Sequence, residues 1–350
     1  MMLPVPGWLQ GSCRVSDVVV SSRVRLARNL TGYPFPAEMS RSEEIEVRDT
    51  VVDAFGRLPG QADYAIVRME NATQMERRML LERSFVSQEF SIARNKALIL
   101  RHDERFAAMV NEEDHLRAFA IQGGLRLNEA YENVGEVDGQ LEDDLEFAVS
   151  LEWGYLTAAL WNVGTGMRAS VMLHLPALVL TGLIDRVVKE ISQIGLAVKA
   201  FFGGGRESLG SLYQLSNITT LGLDEQSILE NLEKVVLQVV NYERKARDEM
   251  TRTRRMELED KILRAYGILR YCRYITTREA IARLSLLRVG IVMGVVDVAS
   301  LADITALMFV SQKSHMRKLL GPHEDTVDTK LIDFTRADFI RRALKEGLSA

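Results

Sequence analysis

The chain has 350 residues, with 44 Lys and Arg against 48 Asp and Glu and a formal net charge of −4. Hydrophobic residues make up 47% and charged residues 26%, which excludes a disordered or collagen-like chain. So even a charge balance gives no support for a general nucleic-acid coat, and any basic site must be a local pocket. The length predicts two domains at roughly 100–200 residues each. Two isolated cysteines, Cys13 and Cys272, cannot build a zinc ribbon or a disulfide framework, and they predict reduced thiols in a cytoplasmic protein. The first residues, MMLPVPGWLQG, lack the basic and apolar regions of a signal peptide. Apolar stretches such as 177–182 and 290–296 fall far short of the roughly 20 residues a membrane-spanning helix needs, so no membrane contact is expected.

In chain order, residues 17–20 predict a strand whose alternation continues through Arg23 and Arg25. Residues 39–58 have helical spacing. Residues 66–69, 85–92 and 97–100 predict further strands, and 103–110 with 111–119 a strand pair. Residues 125–146 read as helical and acidic. Strands follow at 155–160 and 169–174, separated by a glycine-rich turn at 162–166. Residues 176–193 read as one helix. A strand at 196–202 runs into Gly203, Gly204 and Gly205, and 211–217 is another strand. From about Asp224 the texture changes. Ile228, Leu232, Val235, Val236, Val239 and Val240 recur at helical spacing, and dense mixed charge continues the pattern. The expected fold is α+β: an antiparallel sheet flanked by helices over residues 16–224, then an all-α domain over 225–350.

Four stretches carry candidate chemistry. In SSRVRLARN (21–29), Arg23 and Arg25 project to one face of a strand, where two guanidinium forks can grip a polyphosphate. A solvated strand face would look the same. In NEEDHLR (111–117), strand alternation puts Glu113, His115 and Arg117 on one face. A carboxylate there can hold a cation and accept its proton; a charged surface turn is the alternative. In NVGTGMRASVM (162–172), close glycines let backbone N–H groups approach an anion and Arg168 can neutralise it, or the glycines simply make a tight turn. In KAFFGGGRESLG (199–210), the triple glycine can fold over a ligand or serve as a connector.

Together, in this order, these stretches resemble the phosphagen (ATP:guanidino) kinase superfamily, and most closely its bacterial protein-arginine kinases. The segment QLSNITTLG (214–222) and the run RMELEDKILRAYGILRYCR (255–273) carry the same resemblance, which spans about residues 16–346. It implies MgATP as donor and protein arginine as acceptor. Ser21, Ser22, Arg23, Val24 and Arg25 would hold phosphates, with Arg117 and Arg168 completing the clamp. Ala169, Ser170, Val171 and Met172 would line the nucleotide site. Lys199, Gly203 and Gly204 would belong to its loop. Glu113 would bind the acceptor guanidinium and take its proton. The resemblance further implies a homodimer, an activator protein, and an unfoldase–protease that consumes the marked substrates.

The sequence departs from the family pattern at several places. The family's reactive Cys is Ala159, a small Thr is Trp161, a phosphate-binding Arg is Lys199, and the second guanidinium-binding Glu aligns with Gly204, with Glu207 nearby. An allosteric phosphoarginine motif, Arg-Asp-x-x-Arg-Ala, matches at Asp333, Arg336 and Ala337 but begins with Ile332. Three readings follow: an arginine kinase working with Glu113 as sole carboxylate, a pseudokinase that senses nucleotide or phosphoarginine, and a kinase of a small guanidino compound.

Overall fold

The computed structural model describes residues 5–9, 15–202, 208–321 and 328–348. Cys13, Gly203, Gly204, Gly205 and Glu207 lie outside the described residues. In chain order the elements are β1 (Val19–Arg28), α1 (Arg41–Phe55), β2 (Tyr64–Arg68), α2 (Gln74–Glu82), α3 (Gln88–Ile92), β3 (Ala97–Arg101), β4 (Phe106–Val110), β5 (Leu116–Gly123), α4 (Leu127–Leu141), β6 (Val149–Ser150) and β7 (Gly154–Tyr155). They continue with β8 (Met167–His174), α5 (Pro176–Leu180), α6 (Ile184–Gln193), β9 (Leu196–Ala200), β10 (Leu212–Asn217), α7 (Glu225–Tyr271), α8 (Thr277–Val292), α9 (Leu301–Val310), α10 (Lys313–Leu320) and α11 (Thr329–Glu346).

Eight strands form one sheet in the order β2-β3-β4-β5-β1-β8-β10-β9, and every neighbouring pair is antiparallel. Strand β1 therefore lies between β5 and β8 at the centre. Its burial alternates as its sequence does: Arg23 and Arg25 are its two partly exposed positions, while Val24 and Leu26 are buried. The apolar face joins Ala169 and Val171 of β8, Leu127, Ala130, Val134 and Leu141 of α4, and Val236, Val239 and Val240 of α7 in a single core. Each fully buried Val or Leu there contributes on the order of 1.5–3 kcal/mol. A second, smaller cluster (Met69, Leu80, Phe85, Phe90, Leu98, Met109, Phe119) fills the space beneath α2 and α3. Helices α1 and α2 start with reciprocal capping boxes, Ser40 with Glu43 and Thr73 with Glu76, in which both orphan amides find partners. No helix among the described residues is long and apolar enough to cross a membrane.

Local structure overrides the sequence pattern at four points. Residues 85–92 do not form a strand: after an irregular start, Gln88–Ile92 make α3, because the Ser87 side chain accepts from the Phe90 amide and starts a helix there. Residues 111–115 form a loop between β4 and β5, opened by Asn111 at φ 62°. Residues 155–160 hold strand geometry only to Tyr155, after which Leu160–Asn162 makes a 3-10 turn. The helix expected over 176–193 is two, α5 and α6, interrupted around Gly182 at φ 72°.

Candidate active site

The three central strands bring the arginines together from distant parts of the chain. Arg25 lies opposite Phe119 on β5 and Arg168 on β8, and Arg23 lies opposite Ile121 and Ser170. Side-chain alternation puts Ser21, Arg23 and Arg25 on one face beside Arg168, Ser170 and Met172, with Arg117 and Phe119 on the β5 side. Gln214 and Ser216 of β10 and Lys199 of β9 extend that face. A cleft of about 380 Å³ opens over it, lined by Arg23, Arg25, Glu113, Arg117, Trp161, Arg168, Ser170, Lys199, Gln214 and Ser216.

The cleft is electrostatically crowded. Burial pushes the Arg117 guanidinium down to about 8, reinforced by repulsion from Arg25, Arg23 and Arg168. Burial and Arg25 push Arg23 down to about 9. Burial and Arg168 push Arg25 down to about 10, against the pull of Glu113 and Asp114. Arg168 is lowered by burial and held up by Glu113. The Nε atoms of Arg25 and Arg117 are buried with no hydrogen-bond partner among the described residues. Crowded cations with unused donors favour a multivalent anion such as a polyphosphate. Partial compensation is local. Arg23 stacks 3.5 Å above the Phe119 ring, and its Nη1 donates to Ser84 O at 3.3 Å. Arg168 Nη2 donates to Ser216 Oγ at 3.1 Å, and Gln214 Nε2 to Ser170 Oγ at 2.8 Å.

Glu113 sits at the rim. Its Oε2 is 3.2 Å from Arg117 Nη1, and its side chain is 39% exposed. Glu112 is more enclosed; it also pairs with Arg117 and accepts from Ser87 Oγ at 3.0 Å. The shared face expected for Glu113, His115 and Arg117 does not form. His115 turns into the protein, where Nδ1 accepts from the Leu30 amide at 2.9 Å and Nε2 lies 2.8 Å from Pro34 O. Asp114 is buried too and accepts from Asn29 Nδ2 and the Ala158 amide, both at 2.8 Å. These bonds pin the loop that presents Glu113 and tie it to the segment carrying Ala159 and Trp161.

That segment is held by close backbone packing. A Cβ on Gly164 (φ 110°) would lie 2.7 Å from Thr220 O, and one on Gly166 (φ 63°) 2.6 Å from Ala27 O. The amides of Gly164 and Gly166 donate to Tyr155 O and Asn162 O, so these glycines serve the turn and present no amides to an anion. Ala159 is buried, whereas Trp161 is 58% exposed on the cleft wall.

Of the residues singled out in the sequence, Arg23, Arg25, Glu113, Arg117, Arg168, Ser170 and Lys199 line this cleft. Ser21 and Met172 border a space of about 30 Å³ behind Arg23. The side chains of Val24, Ala169 and Val171 point into the core. Ser22 donates to Gly124 O at 2.8 Å and accepts from the Arg126 amide at 3.0 Å. Arg28, in the same motif, is structural: it forms a buried ion pair with Asp138 at 2.6 Å and lies over Tyr155. In α11, Asp333 and Arg336 pair; Arg336 is 1% exposed and donates to Ser311 O and Ile275 O at 2.7 Å each. Ile332 and Ala337 are buried beside it. Sequence reading missed Gln214 and Ser216, which line the cleft, and Phe119, which carries the Arg23 guanidinium behind it. Their signal was the i, i+2 alternation of β10 and β5, legible only once the strand order is known.

Residues 46–246 match the family model for ATP:guanido phosphotransferase, C-terminal catalytic domain. The chain belongs to this family. Residues 255–349 match the protein-arginine kinase McsB C-terminal domain. Over 348 residues the chain is 40% identical to a protein-arginine kinase of Brevibacillus brevis, covering 99% of this chain and 97% of that one. With the protein-arginine kinase of Bacillus subtilis it shares 37% over 96% and 93% of the two chains. Solved phosphotransferases of the same fold include the duplicated taurocyamine kinase of Schistosoma mansoni with bound transition-state analog components, at a TM-score of 0.61 and 22% identity. That match covers 77% of this chain and 40% of the taurocyamine kinase, so this chain spans less than half of that protein. A lombricine kinase matches at a TM-score of 0.58 and 22% identity, with 68% of each chain covered.

Proposed function

We propose that this chain is a protein-arginine kinase, transferring the γ-phosphoryl group of MgATP to the guanidino nitrogen of arginine side chains in proteins. The observation that carries the reading is the convergence of Arg23, Arg25, Arg117 and Arg168 in one cleft with the half-exposed Glu113 at its rim. Full-length similarity to relatives named protein-arginine kinase supports the choice of acceptor.

Phosphoryl transfer needs positioning and charge neutralisation more than covalent help. The four arginines hold and neutralise the phosphates, and Lys199 adds a further cation from β9. No cluster of metal-ligating side chains occurs among the described residues, so Mg²⁺ would be held chiefly by the nucleotide's own phosphates and would supply further charge neutralisation there. Glu113 pairs with the acceptor guanidinium at the rim, orients one nitrogen in line with the γ-phosphorus, and takes its proton. The N–P bond forms, the bond from the γ-phosphorus to the bridging oxygen breaks, and ADP leaves with that oxygen. Acceptor binding competes with the contact between Glu113 and Arg117, while Glu112 keeps Arg117 paired. The reading places the protein in the cytoplasm as a homodimer. It would act with an activator protein and an unfoldase–protease that consumes arginine-phosphorylated substrates; neither nucleic acid nor membrane enters it.

The test is a transfer assay with purified protein, MgATP and an arginine-rich acceptor protein, with phosphoarginine read by mass spectrometry. The expected result is acid-labile phosphoarginine that falls on the order of 10²–10⁴-fold in Glu113→Gln, the usual range for a lost general base. Nucleotide binding without product would overturn the kinase reading in favour of a nucleotide-binding regulator.

A further inference from the structure

We propose that residues 82–84 let the C-terminal helical region set the position of Arg23, with Arg83 and His315 as positioning residues for the nucleotide clamp. The proposal rests on the reading of the arginine cleft as a phosphate site.

Three consecutive residues make three different attachments. Ser84 O accepts from Arg23 Nη1 at 3.3 Å. Ser84 is a non-glycine residue at φ 60°, a conformation that persists only when its surroundings impose it. Arg83 is buried; one end of its guanidinium pairs with Glu104, and Nε donates to His315 Nε2 at 3.2 Å. For Nε2 to accept, the His315 proton must sit on Nδ1, which is 2.8 Å from Glu82 Oε2 and donates to it. The Glu82 carboxylate also accepts from the Ser314 amide at 2.8 Å and the His315 amide at 3.3 Å. These are first-turn amides of α10, whose own N-cap residue, Gln312, makes no side-chain cap. Gln312 Nε2 instead donates to Glu82 O at 3.0 Å. A carboxylate from the catalytic sheet region thus caps a helix of the C-terminal region.

Each link is specific in geometry. Removing the His315 ring leaves a buried Arg83 donor without that partner, and the left-handed turn at Ser84 loses one of the contacts that impose it. The carbonyl that holds Arg23 then drifts, while the Phe119 ring still lies under its guanidinium. Arg23 and Arg83 border the same small space behind the cleft, so a shift of one is felt by the other.

The experiment is calorimetric titration of the full-length chain with MgATP, which needs no acceptor. His315→Ala is expected to bind about 10-fold more weakly, the scale of one lost hydrogen bond to a charged group. His315→Gln, whose amide can accept from Arg83 and donate to Glu82, should return to within about threefold of wild type. In an Arg23→Ala background, His315→Ala should add no further weakening, because the route ends at Arg23. Leu319→Ala, exposed on the same helix, should bind as wild type. If His315→Ala does not fold, Glu82→Gln decides by the same titration. Wild-type affinity in His315→Ala, or in Glu82→Gln where that variant stands in, overturns the proposal, as does equal weakening in His315→Ala and His315→Gln or full additivity with Arg23→Ala. Weakened binding in a chain that makes no phosphoarginine would keep this proposal and reject the transfer reading. Unchanged binding in an active kinase would do the reverse.

Discussion

Arg25 and Arg168 stand directly opposite each other in the register of β1 and β8, two like charges at adjacent positions of an antiparallel pair. Such pairs destabilise a sheet by a few tenths to about 1 kcal/mol, and both side chains are also held partly out of water. Arg168→Met should therefore raise the melting temperature of the nucleotide-free protein by about 1–3 °C. The same substitution should weaken MgATP binding by at least about 10-fold through loss of a charge-assisted contact. Thermal melts with and without MgATP check both directions at once; a variant destabilised without nucleotide would contradict the argument.

The loop that presents Glu113 depends on Asp114. Its buried carboxylate, raised by burial and held down by the Ala158 amide and Asn29, serves two donors from different segments. Asp114→Ala leaves both unsatisfied and should lower stability by about 1–3 kcal/mol. The transfer rate should fall more than MgATP affinity, since the arginines stand on strands and Glu113 on the loop. Unfolding curves and a kcat comparison with the binding constant measure the split.

Trp161 stands exposed on the wall of the cleft that Glu113 also lines. Replacing the indole by Ala removes bulk from that wall and leaves every arginine in place. Trp161→Ala should raise kcat/KM for a bulky protein acceptor several-fold and leave MgATP affinity within roughly twofold. Acceptor kinetics at saturating MgATP test this; an unchanged or lower kcat/KM would show that the indole does not narrow the entrance.

Asp17 supplies a pH signature. Burial raises its carboxyl, but hydrogen bonds from Arg244 and Arg247, at 2.6 and 2.7 Å, hold it at about 2, below the usual 3.8. A folded-state value below the unfolded one adds stability that is present above pH 3.8 and lost as pH falls through 2. Asp17→Asn should cost on the order of 2 kcal/mol at pH 7, and the difference from wild type should close between pH 4 and pH 2. Denaturant unfolding at three pH values across that range reads it directly.

Much of this was legible in the sequence because strand alternation is local. Arg23 and Arg25 share a face whatever else the fold does, and the buried partners Val24 and Leu26 enforce it. The texture change near Asp224 likewise marks the start of α7, where the Asp224 side chain accepts from the Ser227 amide. His115 was misplaced for the opposite reason. Its bonds to Leu30 and Pro34 are made 85 and 81 residues away, and no periodicity reports them. Gln214 and Ser216 join the cleft because β10 pairs with β8, a fact of sheet order. The glycines at 164 and 166 looked like an anion cradle because tight backbone packing and anion binding demand the same residue.

Helix α7 spans 47 residues as two helical stretches that meet at a kink at Arg254 (φ −137°, ψ 33°). The two family matches end at 246 and begin at 255, on either side of that point. The seam between the two matched regions therefore falls at a kink between two helical stretches, with no loop of irregular chain joining them. Cutting the chain at either boundary would split α7 beside its kink and bare an apolar stripe, Val236 and Val239 on one stump or Leu258 and Ile262 on the other. Such halves should stick to themselves or to each other, and neither would report how the joined molecule behaves.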